Sequence, residues 1–230
     1  MKETLAKGLP ALGLALDEKT QDTLCAFGEA VVEQNKVMNL TAITEPAQVA
    51  KLHLLDSLSL LTLEDLKGKK IIDVGCGAGF PGVPVKIACP EAKLTLLDSL
   101  GKRMKWLETV LPTLGVEARC VTARAEEAVA TCREQYDIAT SRAVARLNIL
   151  LELTAPYVKV GGKVLAMKGA AAPEELEEAK NAIRKLGLAV ERVAEFPVDD
   201  AIHRVIVLKK VAKTPPQYPR RFAKIKQEPL

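Results

Sequence analysis

The chain has 230 residues, 48% of them hydrophobic, with a formal net charge of +4; that is enough apolar material for one packed domain with an appendage. No run of about 18 or more apolar residues is free of charge, which excludes a membrane-spanning helix. Five cysteines with no CxxC spacing and only two histidines, His53 and His203, exclude a disulfide framework and a structural zinc and leave little material for a metal site or a catalytic triad.

The N-terminus, MKETLAKGLPALGLALDEK, has no basic start, clean apolar core or small-residue cleavage site, so the chain is expected to stay in the cytoplasm. Up to about Leu61 the pattern is helical. Leu24, Phe27, Val31 and Val32 recur at helical spacing, NLTAIT (39–44) breaks the pattern, and Pro46 behind Glu45 opens a later helix. After Lys70 short apolar runs alternate with helical stretches. Strands are expected at 71–75, 93–98, 116–122, 136–142 and, after the turn Gly161-Gly162, at 163–169. Helices are expected at 81–88, 102–111, from about Leu147, and at 174–186. This alternation predicts a parallel sheet with helices on both faces. Two last strands, 188–196 and 203–210, are joined by 197–202, which is short enough only for an antiparallel hairpin. The organisation reads as an N-terminal helical extension (1–66), a main α/β domain (67–212) and a tail (213–230). The tail holds five bases and one acid, the whole charge excess of the chain; it is either a solvated end or a contact for a polyanion.

The segment KIIDVGCGAGFPG (70–82) places Gly75, Gly77 and Gly79 straight after a strand that ends near Asp73. No G-x-x-x-x-G-K-[ST] occurs, so this is not a phosphate-cradling NTPase loop, and the frame G-x-G-x-x-G fits only from Gly77, with Pro81 inside it. The pattern D-x-G-x-G-x-G fits better and suits S-adenosylmethionine, which has no pyrophosphate but carries cationic groups that Asp73 would attract. Asp98, 23 residues beyond Gly75, is placed to accept from ribose hydroxyls in either kind of enzyme. Glu126, after the third strand, is either near an adenine amino group or a helix-start acid favoured by the dipole.

After the fourth strand, TSRAVAR (140–146) lacks the Asn/Asp-Pro-Pro-aromatic signature of exocyclic-amine methylation. No cysteine stands where a pyrimidine nucleophile belongs: Cys89-Pro90 is reversed and misplaced, and Cys120 lies within a strand. An acceptor with a ready lone pair, such as guanine N7, needs neither nucleophile nor base. Arg142 is either the residue that orients such a substrate or one half of an ion pair.

The stretches NLT (39–41), HLLDS (53–57), IDVGCGAGFPG (72–82), LLDSLGKR (96–103), RAEE (124–127), SRA (141–143), MKG (167–169) and YPRR (218–221) resemble, in this order, the RsmG (GidB) family of 16S ribosomal RNA guanine-N7 methyltransferases. The resemblance implies a doubly wound, seven-stranded, Rossmann-like class I methyltransferase sheet. It implies methylation of N7 of one guanine, position 527 in the 530 loop, on 16S RNA or the small subunit, by a cytoplasmic enzyme using S-adenosylmethionine; a monomer without a metal is expected. It implies cofactor contacts at Gly75, Phe80, Ala125, Glu126 and Arg142. With the motif reading, the full cofactor set becomes Asp73, Gly75, Gly77, Gly79, Phe80, Asp98, Ser99, Ala125, Glu126 and Arg142. RNA contacts are implied at Asn39, His53, Lys102 and Arg124, and the basic tail adds Arg220 and Arg221; without the family, His53 reads as a helix-packing histidine. The chain departs from the family pattern at FAKIKQEPL after YPRR, in the order His203-Arg204, and at Cys76, where a small hydroxyl residue is frequent. Three other readings stay open: a nicotinamide-dependent oxidoreductase, a non-catalytic ribosomal RNA-binding module, and a small-molecule methyltransferase.

Overall fold

A computed structural model describes residues 1–198 and 201–230. Its centre is a seven-stranded sheet in the order β3-β2-β1-β4-β5-β7-β6. The strands are β1 (Lys70–Val74), β2 (Lys93–Asp98), β3 (Arg119–Thr122), β4 (Tyr136–Arg142), β5 (Val158–Lys168), β6 (Leu188–Val198) and β7 (Ala201–Lys210). The first five are parallel, and β7 runs antiparallel between β5 and β6. Strand order reverses between β1 and β4, so the loops after these two strands splay apart and leave a crevice at their carboxyl ends.

The helices are α1 (Lys2–Gly8), α2 (Glu18–Asn35), α3 (Pro46–Val49), α4 (Asp56–Leu58), α5 (Gly82–Ala88), α6 (Gly101–Thr113), α7 (Ala125–Cys132), α8 (Leu147–Thr154), α9 (Ala172–Glu178), α10 (Lys180–Lys185) and α11 (Phe222–Gln227). A π-helical turn, Ala50–Leu55, joins α3 to α4. One core packs α1, α2, α5 and α6 against Ile71, Leu94 and Leu96, and the other packs α8 and α10 against Ile72, Val74 and Leu97. Alternate residues of one strand thus feed opposite cores, as strand geometry requires. Leu24, Phe27 and Val31 are buried as their spacing predicts, while Val32 is half-buried. Glu45 caps α3 by accepting from Ala47 N and Gln48 N, with Pro46 in the first turn.

Three expectations need correction. The third strand is shorter than 116–122, because Val116 N still closes the end of α6 on Leu111 O and pairing with β2 begins only at Arg119. Gly161-Gly162 is not a turn before the fifth strand but part of a bulge within it, where the register passes from Tyr136–Val158 to Ile138–Lys163. The expected helix 174–186 is two helices that meet at Ala179, whose ψ of 0° ends the first; Ala179, Ala182 and Ile183 then all reach the core. The final hairpin is antiparallel as expected, and its strands extend to the pair Val198–Ala201; residues 199 and 200 of its connection lie outside the described residues.

Candidate functional site

Two cavities open side by side at the carboxyl end of the sheet. The first, of about 300 Å³, lies over β1, β2 and the start of α7. The loop after β1 bends back so that Gly75 N and Cys76 N donate to Leu97 O at 2.8 and 3.2 Å. Asp98 then clamps two loops at once: Oδ2 accepts from Gly77 N and Oδ1 from Leu100 N, both at 2.9 Å. Gly75, Asp98, Ser99, Ala125 and Glu126 line this cavity, as the sequence reading expects, together with Arg103, Arg124, Leu153 and Phe222. Gly75 sits at φ +71°, and a Cβ there would stand 2.5 Å from Val144 Cγ2, so the wall between the cavities has no room for a side chain.

The remaining expected cofactor residues do not line it. Asp73 is fully buried beneath the loop, because its position in β1 points it at the face covered by α5. Its Oδ2 accepts from Gly82 N at 2.8 Å and its Oδ1 has no partner, and burial raises its carboxyl to about pH 7. It anchors the start of α5 and cannot meet a cationic ligand directly. Gly79 is also interior: at φ +98° a Cβ would press on Val83, Leu107 and Phe27 at 2.7–3.2 Å. The Phe80 ring is 5% exposed, stacked on His53 with centroids 4.6 Å apart, and lies 5.1 Å beneath the Arg142 guanidinium carbon. Gly77 remains on the loop surface with its amide committed to Asp98.

The second cavity, of about 610 Å³, is centred on Arg142. Arg142 Nη1 donates to Leu52 O at 2.7 Å and to Asp56 Oδ2 at 3.0 Å, and Nη2 lies 3.0 Å from His53 Nδ1. A guanidinium has only donors, so His53 Nδ1 is the acceptor, and its Nε2–H donates to Thr41 Oγ1 at 2.7 Å. Burial, then the neighbouring Arg142 charge, hold His53 neutral, down to about 4. His53 lines this cavity with both ring nitrogens engaged by protein groups, so it presents no cation there.

Asp56, 5% exposed, spans from Arg142 to His203, whose Nδ1 lies 2.8 Å from Asp56 Oδ1. That hydrogen bond to a carboxylate raises the His203 pKa. Lys168, paired with Glu175 at 2.7 Å, closes the far side. Asp56 was visible in HLLDS without a role, and the residue order at His203-Arg204 hid that His203 is the member facing this cavity.

Arg220 is committed to an internal carboxylate. It donates from its backbone N, Nε and Nη2 to the fully buried Glu152 at 2.6–2.8 Å. Asn39, Lys102, Arg124 and Arg221 are exposed, and none of these four side chains has a partner among the described residues. All five thiols are pushed up by burial, Cys120 to about 11, so none is a ready thiolate nucleophile. Among the described residues no cluster of three His, Cys, Asp or Glu is arranged to hold a metal ion, and no helix is long and apolar enough to cross a membrane.

The family model for rRNA small subunit methyltransferase G matches residues 20–203. The ribosomal RNA small subunit methyltransferase G of Alkaliphilus metalliredigens is 43% identical over 235 residues, covering 100% of this chain and 98% of that one. Its counterpart in Caldanaerobacter subterraneus subsp. tengcongensis is 44% identical over 236 residues, covering 99% and 98%. Among solved structures, P. horikoshii TYW2 in complex with MeSAdo superposes with a TM-score of 0.55 at 14% identity, over 68% of this chain and 62% of that one, a likeness of fold. These matches give no support to a nicotinamide-dependent oxidoreductase or a non-catalytic module. Sheet order, crevice and full-length similarity agree that the chain belongs to the rRNA small subunit methyltransferase G family.

Proposed function

We propose that the protein transfers the methyl group of S-adenosylmethionine to N7 of guanine 527, in the 530 loop of 16S ribosomal RNA, acting as a monomer in the cytoplasm. The observation that carries this reading is that the cavities adjoin: Ala143 and Val144 line both, so a donor bound in one lies beside an acceptor bound in the other. The first cavity fits the cofactor. Gly75 gives bare backbone, Asp98 keeps free acceptor lone pairs for ribose hydroxyls, and Leu97, Ala125 and Leu153 offer an apolar slot beside Ser99 and Glu126. Bound there, S-adenosylmethionine supplies an electrophilic methyl group on a sulfonium sulfur.

Arg142 does the orienting on the acceptor side. Asp56 and Leu52 fix one end of its guanidinium, so the fork meets a substrate already aligned. Guanine O6 and a flanking phosphate are its natural acceptors, which leaves N7 free. N7 attacks with its own lone pair, so no base is required; Asp56, held between Arg142 and His203, is not free to act as one. Arg124 at the cofactor cavity and the exposed Lys102, Arg221 and Asn39 serve as phosphate and base contacts, and binding is expected to weaken with salt. The guanine must be unstacked, as bases in RNA loops are.

The test is transfer of tritiated methyl from S-adenosylmethionine to small subunits, and to naked 16S RNA, from cells lacking this gene, followed by cleavage specific for N7-methylguanine. One labelled guanine in the 530 loop is the expected result. Label that never leaves the cofactor with either substrate refutes the reading.

A further inference from the structure

Residues 213–230 are strapped to the body. Arg133, just beyond α7, donates to three backbone carbonyls of the strap, Tyr218 O at 2.7 Å, Thr214 O at 2.9 Å and Pro215 O at 3.0 Å. The fully buried Lys210 holds Glu134 at 3.0 Å, and the same Glu134 oxygen accepts from Thr214 N at 2.8 Å. Arg220 closes a two-pronged pair on Glu152 in α8, and Ile225 of α11 is completely buried. Of the tail's own cations, Arg220 is spent on an internal carboxylate, and with the carbonyls held by Arg133 it fixes the position of the strap.

The position fixed is the rim of the cofactor cavity. Phe222, two residues after Arg220, lines it, and so does Leu153, the neighbour of Glu152. The ion pair therefore ties together the two chain segments that carry these residues. Phe222 is the only aromatic side chain among the described residues that line this cavity. The polar groups for a nucleoside come from Asp98, Ser99 and Glu126, and an adenine ring also needs apolar cover on its faces.

Resting on the reading of this cavity as the S-adenosylmethionine site, we propose that the strap is part of that site: Phe222, positioned by the Arg220–Glu152 pair, forms its apolar wall and sets affinity for the adenosine half of the cofactor. S-Adenosylhomocysteine is titrated calorimetrically into full-length wild type, Phe222→Ala and Phe222→Tyr, and the thermal midpoint of each free protein is recorded. Phe222→Ala is expected to bind roughly tenfold more weakly and Phe222→Tyr to recover to within about threefold of wild type, at unchanged midpoints. Wild-type affinity in Phe222→Ala overturns the inference and leaves the reading of the cavity intact. A wild type that does not bind S-adenosylhomocysteine overturns both. Should Phe222→Ala not fold, hydrogen exchange of the wild type decides: the ligand is expected to slow amides 222–227, and unchanged exchange there overturns the inference.

Discussion

The two cavities that share Ala143 and Val144 differ in how the chain builds them. The cofactor cavity takes most of its polar groups from loops that directly follow β1, β2 and β3, and the first two of those loops are pinned by backbone amides on one carboxylate, Asp98. The Arg142 cavity collects Leu52 and Asp56, Arg142, Lys168 and His203 from four separate segments, and its central contact joins residues 147 positions apart. A site of the first kind is robust to distant change and sensitive to the backbone of a single loop. A site of the second kind depends on buried charges that hold the helical N-terminus, β4 and β7 in one arrangement.

This contrast breaks most visibly at Asp56. Asp56→Ala strands Arg142 and His203 without their counter-charge, and removing one partner of a buried pair costs about 3–5 kcal/mol. Urea unfolding should report a loss of that size, together with loss of methyl transfer; a variant as stable as wild type would show the pair to be peripheral. Gly75→Ala is the corresponding change in the other cavity. It places a side chain at φ +71° against Val144, and S-adenosylhomocysteine affinity should fall about tenfold for a strain of about 1–3 kcal/mol. Calorimetry checks this, and undiminished affinity would remove Gly75 from the contact surface.

Legibility in the sequence followed the same division. The glycine loop, Asp98, Ser99, Ala125 and Glu126 could be read because each closes a strand or opens a helix at predictable spacing. Asp73 misled because the motif gives the residue type but not the face of β1; burial in α5's shadow was set by strand alternation. The setting of Phe80 and His53 was hidden for a related reason. They stack on each other under Arg142, a contact between segments whose approach no local pattern encodes. The tail's charge suggested RNA, but Glu152, the residue that claims Arg220, reads in the sequence only as an acid within an apolar helix. The alternating fold was legible nearly throughout. The bulge at Gly161-Gly162 and the break at Ala179 were not, since both arise from how the elements fit their neighbours.

Acid titration sharpens the comparison further, because Asp73, buried beneath the glycine loop, and His53, at the Arg142 cavity, pull in opposite directions. Asp73 has a folded pKa of about 7 against 3.8 when exposed, so the folded state alone holds its proton between these values, and its contribution to stability falls as pH rises through that window. His53 has a folded pKa of about 4 against 6.5, so the unfolded state alone binds its proton there, and stability is lost as pH falls from 6.5 to 4. In wild type the two slopes oppose each other. In Asp73→Asn the first is gone, and unfolding measured at pH 7.5 and pH 5 should show a steeper loss toward acid than in wild type. Equal slopes would mean that Asp73 is not the buried acid described here. The smallest expected effect lies outside both cavities: Arg221→Ala should reduce the slope of log affinity for RNA against log salt by about one, and an unchanged slope would remove Arg221 from the RNA contacts.

The most direct test of the two-cavity account is a pair of binding measurements beside one rate. S-Adenosylhomocysteine affinity and methyl transfer to small subunits are measured for wild type, Asp98→Ala and Arg142→Gln. Asp98→Ala should weaken S-adenosylhomocysteine binding about a hundredfold. Arg142→Gln should lower transfer about a hundredfold while S-adenosylhomocysteine affinity stays within about threefold of wild type. If Arg142→Gln instead loses S-adenosylhomocysteine binding as deeply as Asp98→Ala, Arg142 belongs to the cofactor cavity and the division of the site into donor and acceptor halves is wrong.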